Sequence, residues 1–193
     1  MKTACVLVAA LAMVIPAAAQ TGAAQTAAAQ TAAAQTPANP LTSGTKWAYD
    51  MIKGNITKSA EKVTEEHYSF KPAPDVRTFG QLLGHIADAN YMICSAAGGS
   101  AAPKESIEKT KTTKADLQKA LADSFSACDA AYAAMTDAKG VEIVKFFGRE
   151  QPKLAILAFN TSHDFEHYGN LVTYMRIKGI VPPSSEPKPQ GTK

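Results

Sequence analysis

Four long stretches of this chain repeat apolar residues at every third or fourth position, and that period constrains its fold more than any other feature. The first, from Thr42 to Val63, sets Trp47, Met51, Ile52, Ile56, Ala60 and Val63 on one stripe. The second opens at Thr78, an N-cap residue, carries Phe79, Leu82, Leu83, Ile86, Ala89 and Ile93, and ends at Gly98-Gly99. The third, Thr113 to Thr136, begins with the capping pattern Thr113-x-x-Asp116 and presents Leu117, Leu121, Phe125, Cys128, Tyr132 and Met135. The fourth runs from near Pro152 to Lys178 and stops at Gly179, with Pro182-Pro183 beyond. Before it, Gly140 to Gly148 holds Val141, Ile143, Val144, Phe146 and Phe147; this segment is β-prone and too short for a good helix, so a short extended excursion or hairpin is expected. No parallel-strand pattern appears. The period predicts an all-α four-helix bundle.

The ends of the chain read differently. Residues 1–19 combine a basic start, an apolar run from Val6 to Ile15 and the A-x-A pattern of Ala17-Ala18-Ala19, which together predict a secretory signal peptide. That run is shorter than the roughly 20 residues of a membrane-spanning helix, and no later stretch is long and apolar enough either, so no membrane span is expected. Residues 20–40 repeat AAAQT without charge or aromatic side chains and are expected to form a disordered tether. Residues 184–193 are proline-rich and polar and are expected to be a flexible tail. This leaves 41–183 as the bundle domain, and an exported protein, periplasmic or secreted, as the expectation.

Charge narrows the function classes. The chain has 20 basic and 17 acidic residues, and losing Lys2 with the leader brings the balance still nearer to neutral. A nucleic-acid binder needs a clustered basic face. The lysines from Lys104 to Lys119 are interleaved with Glu105, Glu108 and Asp116, which reads as a solvated loop and helix start.

Chemistry concentrates in the histidines. His163 and His167 are four apart in the fourth stretch, which on a helix puts both on one face with their Cβ atoms about 5–6 Å apart. His85 lies inside the second stretch. Two imidazoles from one helix and a third from a neighbour can hold one divalent ion and leave coordination positions open, as catalytic sites do. Structural histidines would give the same spacing, and both readings stand at this level. Asp88 and Asn160 are nearest by spacing to accept from the imidazole N–H groups. Asp88 and Glu166 are the weak candidates for a proton-transfer role, Glu166 being rotated off the His163/His167 face. No Ser-His-Asp or Cys-His arrangement occurs at readable spacing.

The run from Arg77 through His85 to Asn90, RTFGQLLGHIADAN, resembles the second-helix motif of the DinB/YfiT family. The run HDFEHYGNLVTYMRIKGIVPP from His163 resembles its fourth-helix ending. The likeness covers most of 41–183. It implies up-down-down-up connectivity and a divalent metal, zinc or nickel being typical, held by His85, His163 and His167. It further implies a metal-dependent hydrolase or a thiol-type transferase acting on a small-molecule substrate. A leader and tether depart from the usual cytoplasmic member. The alternatives are a non-catalytic exported metal- or ligand-binding module, or a dimerising scaffold; a homodimer is the default for such bundles.

Other residues receive plainer readings. His67, between the first two helices, is expected on an exposed loop, and Arg77 is expected to pair with an acidic residue of the protein. Trp47 and the Phe146-Phe147 pair read as core, with a pocket mouth or dimer contact as the alternative. Cys94 and Cys128 suit a disulfide in an oxidising compartment or two buried thiols.

Overall fold

The Thr78 hydroxyl accepts a hydrogen bond from the Gln81 backbone N–H at 3.1 Å while the Gln81 side chain accepts from Thr78 N–H at 2.9 Å. This reciprocal cap starts the second long helix where the sequence predicts it. The computed structural model describes residues 38–99, 101 and 103–187. The expected leader and residues 20–37 of the tether lie outside the described residues, as do residues 188–193.

The helices are α1 (Pro40–Lys62), α2 (Phe79–Ala96), α3 (Ile107–Thr110), α4 (Lys114–Ala134), α5 (Asp137–Gly140) and α6 (Lys153–Ile177), with strands β1 (Ile143–Phe146) and β2 (Arg149–Pro152) between the last two. The four long helices are the four predicted ones, and the expected excursion is an antiparallel hairpin pairing Phe146 with Arg149 across its turn. Their directions follow from specific contacts. Gln118 of α4 reaches the Ala60 carbonyl at one end of α1, and Asp137, just past α4, accepts from Thr42 N–H and Oγ1 at the other, so α1 and α4 run antiparallel. Asn90 meets Ser124 and Cys94 meets Cys128, so α2 and α4 are parallel. Asn160 meets Asn90, and Tyr174 donates to the Arg77 carbonyl, so α6 runs against α2. The connectivity is up-down-down-up.

One core joins all four helices, with Tyr49, Ile52, Ile56, Leu83, Ile86, Phe125, Tyr132, Leu157 and Leu171 buried in it. The stripe on α1 is rotated from the predicted one: Trp47 and Met51 face solvent, and Tyr49 takes the buried position. The Tyr49 ring stacks on Tyr132 at 4.0 Å, and its hydroxyl donates to Asp129 at 2.9 Å. A tyrosine that can bury its ring and still satisfy its O–H sets the phase of the helix. Cys94 and Cys128 form a disulfide between α2 and α4.

Two departures concern the connections. The lysine-rich link contains the one-turn helix α3, and Ile107 is buried. The first residues of the expected loose tail are tied down: Ser184 N–H donates to the Tyr168 hydroxyl at 3.0 Å, and Ser185 accepts from Arg176 at 2.8 Å. No helix among the described residues is long and apolar enough to cross a membrane.

Candidate metal centre

Because α2 and α6 pack antiparallel, the middle of α2 meets the middle of α6, which brings His85 against His163 and His167. One nitrogen from each ring falls in a group spanning no more than 4.8 Å. Ring centroids lie 5.2 Å apart for His85 and His163, 4.7 Å for His85 and His167, and 4.4 Å for His163 and His167. The Nε2 atoms of His163 and His167 are 3.1 Å apart. Two nitrogens sharing a tetrahedral zinc ion at bond lengths of about 2.0–2.1 Å stand about 3.3 Å apart, so the α6 pair already has the required spacing.

The surroundings fix which nitrogen of His85 is bare. His85 Nδ1 lies 3.2 Å from Glu108 Oε2. A carboxylate only accepts, so Nδ1 carries the hydrogen and Nε2 offers its lone pair. Glu108 is itself held by Arg77 Nε at 2.9 Å from Oε1. His167 Nδ1 is 3.3 Å from the Asn170 side-chain amide. A half-turn of that amide presents its oxygen to Nδ1–H and leaves His167 Nε2 bare. His163 Nδ1 is buried without a hydrogen-bond partner.

Electrostatics favour neutral rings at His163 and His167. Burial first, then the nearby His163 and His85, push His167 down to about 4. Burial also lowers His163, with His85 adding to the effect and Glu166 opposing it. Unprotonated imidazoles beside one another are what a divalent cation requires of its ligands. The donor set fits a metal ion.

The expected neighbours fall elsewhere. Asp88 bonds no imidazole: it accepts from Ser106 Oγ at 2.6 Å, Ile107 N–H at 2.8 Å and Glu108 N–H at 3.1 Å, capping α3. Its part in the site is to hold the helix that carries Glu108. Asn160 is buried among Asn90 and Tyr132, donating to Asn90 Oδ1 at 2.7 Å. Glu166 is exposed on the outer side of α6. Arg77 pairs with an acid as expected, and His67 is half-buried in a 3-10 turn, Glu65–His67.

Glu108 is the residue that sequence reasoning missed. A signal for it existed at Gly84, where an added Cβ would stand 2.7 Å from Glu108 Cα. Glycine inside a helix lowers its stability by about 0.5–1 kcal/mol relative to alanine, and such a position marks a close backbone approach. A cavity of about 570 Å³ opens beside the cluster, lined by Arg77, Gln81, Glu108, Asn170 and Tyr174 among others.

The profile of the DinB superfamily matches residues 48–171, more than half of the chain. The chain belongs to the DinB superfamily. All three histidines lie within the matched span. The chain is 28% identical over 128 residues to the uncharacterized protein YjoA of Bacillus subtilis, covering 65% of this chain and 83% of that one. Its fold resembles that of a DinB-like protein from Bacillus cereus, with a TM-score of 0.65 at 24% identity over 73% of this chain and 95% of the other. The crystal structure of YjoA itself aligns with a TM-score of 0.56 at 25% identity, over 70% of this chain and 93% of that one. The bundle and its connectivity are thus those of DinB-like proteins.

Proposed function

We propose that this DinB protein is an exported metal-dependent enzyme that acts on a small molecule by hydrolysis or thiol-type group transfer. The observation that carries the reading is the convergence of three imidazole nitrogens from two helices beside an open, polar cavity. His85, His163 and His167 would hold the ion. When bound, a divalent cation such as zinc or nickel supplies Lewis acidity toward water, a thiol or a substrate oxygen. Glu108 and Asn170 orient the rings, and Arg77, at the cavity wall, offers N–H donors to an anionic group of the substrate. Glu166 lies near enough to act electrostatically on His163 and is exposed to water. Export is supported by the buried Cys94–Cys128 disulfide, since such bonds persist in oxidising compartments.

The test is turnover of a panel of esters, amides and thiol-plus-epoxide pairs by the metal-loaded protein, with chelated protein as control. Turnover that vanishes on chelation supports the reading. A second reading, a non-catalytic metal- or ligand-binding module, is favoured by one observation: Glu108, the carboxylate in contact with an imidazole, is already engaged by Arg77. Metal uptake without turnover of any substrate in the panel selects that reading.

A further inference from the structure

The hairpin before α6 carries a feature that neither the core nor the metal ligands require. Its two-residue turn is Phe147-Gly148, with φ of +47° and +76°. Positive φ at both positions is the type I′ geometry, in which Asn-Gly is the common choice because bulky residues rarely adopt it. Phe147 nonetheless occupies the first position, and it stays 67% exposed, so burial in the core does not explain it. Strained positions of this kind concentrate at ligand clamps and other functional sites.

What the turn does is assemble rings. Phe147 stands 4.2 Å from Phe146 and 6.3 Å from Phe159, centroid to centroid, and Phe146 is 5.9 Å from Phe159. These three, with Arg149, Gln151 and Ile156, line a chamber of about 300 Å³. Phe159 sits one helical turn before His163 on α6, and their ring centroids are 6.4 Å apart. Along α6 the order is therefore aromatic chamber, histidine cluster, then the polar cavity at Asn170 and Tyr174.

We infer that this chamber binds an aromatic ring of the small molecule presented to the metal centre. The size matches the lower end of small-ligand sites and is too small for a partner helix or strand. Phe159 meets Phe146 at 66° and Phe147 at 86°, so the walls offer both edges and faces, the two surfaces an aromatic guest prefers. The substrate class is thus an aryl compound whose metal-directed group lies next to its ring. This rests on reading the histidines as a metal centre, and the test separates the two claims.

Two hydroxamates share one chelating head: acetohydroxamate has no ring, and benzohydroxamate carries a phenyl group. Calorimetric titration of the full, zinc-loaded chain is expected to show benzohydroxamate binding about tenfold tighter, the gain from desolvating one ring. Phe147→Ser and Phe159→Ser should each remove most of that preference while acetohydroxamate loses no affinity. Equal affinities in the wild type, or a preference that survives both substitutions, would overturn the inference. If neither hydroxamate binds, the metal reading fails on its own, and a second measurement decides the chamber. In ¹⁵N–¹H spectra of chelated protein, benzyl alcohol should shift the Gly148 and Phe159 amides; no shift at either overturns the inference. Sedimentation is the third readout: a dimer that Phe147→Ser converts to monomer would assign the rings to self-association and also overturn it.

Discussion

Glu108 stands 3.2 Å from His85 Nδ1 and 2.9 Å from Arg77 Nε, so one carboxylate joins an imidazole of the cluster to the guanidinium at the cavity wall. Partners that orient a metal-bound histidine are typically worth 10- to 100-fold in affinity, as a rough guide. Glu108→Gln should therefore leave the fold intact and weaken zinc binding by about that factor. Competition against a chromophoric chelator measures it; an unchanged zinc affinity would remove Glu108 from the site.

Gly84 makes the same relationship possible from the backbone side. A Cβ there would meet Glu108 Cα at 2.7 Å and Glu108 N at 2.9 Å, both backbone atoms that cannot swing away. Gly84→Ala should push α3 outward, destabilise the chain by about 1–3 kcal/mol, and weaken metal binding along with Glu108→Gln. Urea denaturation and the same chelator competition read the two effects. Gly84→Ala with wild-type metal affinity would show that the close approach has no bearing on the centre.

The pH dependence of metal binding follows from the lowered histidines. An ordinary histidine titrates near 6.5. His167 is pushed down to about 4, and His163 is lowered as well. Both shifts disfavour the proton, which competes with the metal at these two ligands, so affinity should fall less steeply with pH than it would for three ordinary histidines. Chelator competition between about pH 7 and 5 tests this. A loss as steep as three ordinary imidazoles produce, with three protons released per metal bound at about pH 6.5, would contradict the lowered values.

How much of this was legible in the sequence depended on how local each signal was. Thr78 with Gln81, Thr113 with Asp116, and the stop at Gly179 announce their helix ends through contacts within four residues. His163 and His167 share a turn, so their juxtaposition is local too. Glu108 was hidden because α3 is one turn long, embedded among lysines, and fixed by Asp88 from another helix. The α1 stripe was misphased because Trp47 and Met51 outrank Tyr49 in apolarity, whereas the stacking of Tyr49 on Tyr132 is a tertiary fact. The pairing of Cys94 with Cys128 needed the parallel packing of α2 on α4, which spacing does not encode.

That disulfide should carry a large share of the stability. It closes a sequence separation of 34 residues, for which the loop-entropy relation gives about 3–4 kcal/mol. Cys128→Ala should lower stability by about that amount, and dithiothreitol should shift the wild-type urea midpoint but not the variant's. Two titratable thiols besides Cys5 in protein purified without reductant would contradict the bond.

Asp164 predicts a second pH effect. It follows His163 directly, is wholly buried, and neither oxygen has a hydrogen-bond partner. Burial raises its carboxyl well above the usual range. The folded chain thus holds this proton more tightly than the unfolded chain. The associated stability is fully present below about pH 4 and is lost as pH rises toward the folded value. Asp164→Asn, which carries no such charge, should flatten the stability profile of metal-free protein over that range. Equal slopes for wild type and variant would rule this ionisation out as their source.

The metal centre itself is tested most directly by elemental analysis of full-length protein purified from its native compartment, beside His85→Ala, His163→Ala and His167→Ala. The three-histidine account predicts about one divalent ion per chain in the wild type and almost none in any of the three variants. Wild-type protein far below that stoichiometry, or a His163→Ala variant with the same content as wild type, would contradict it.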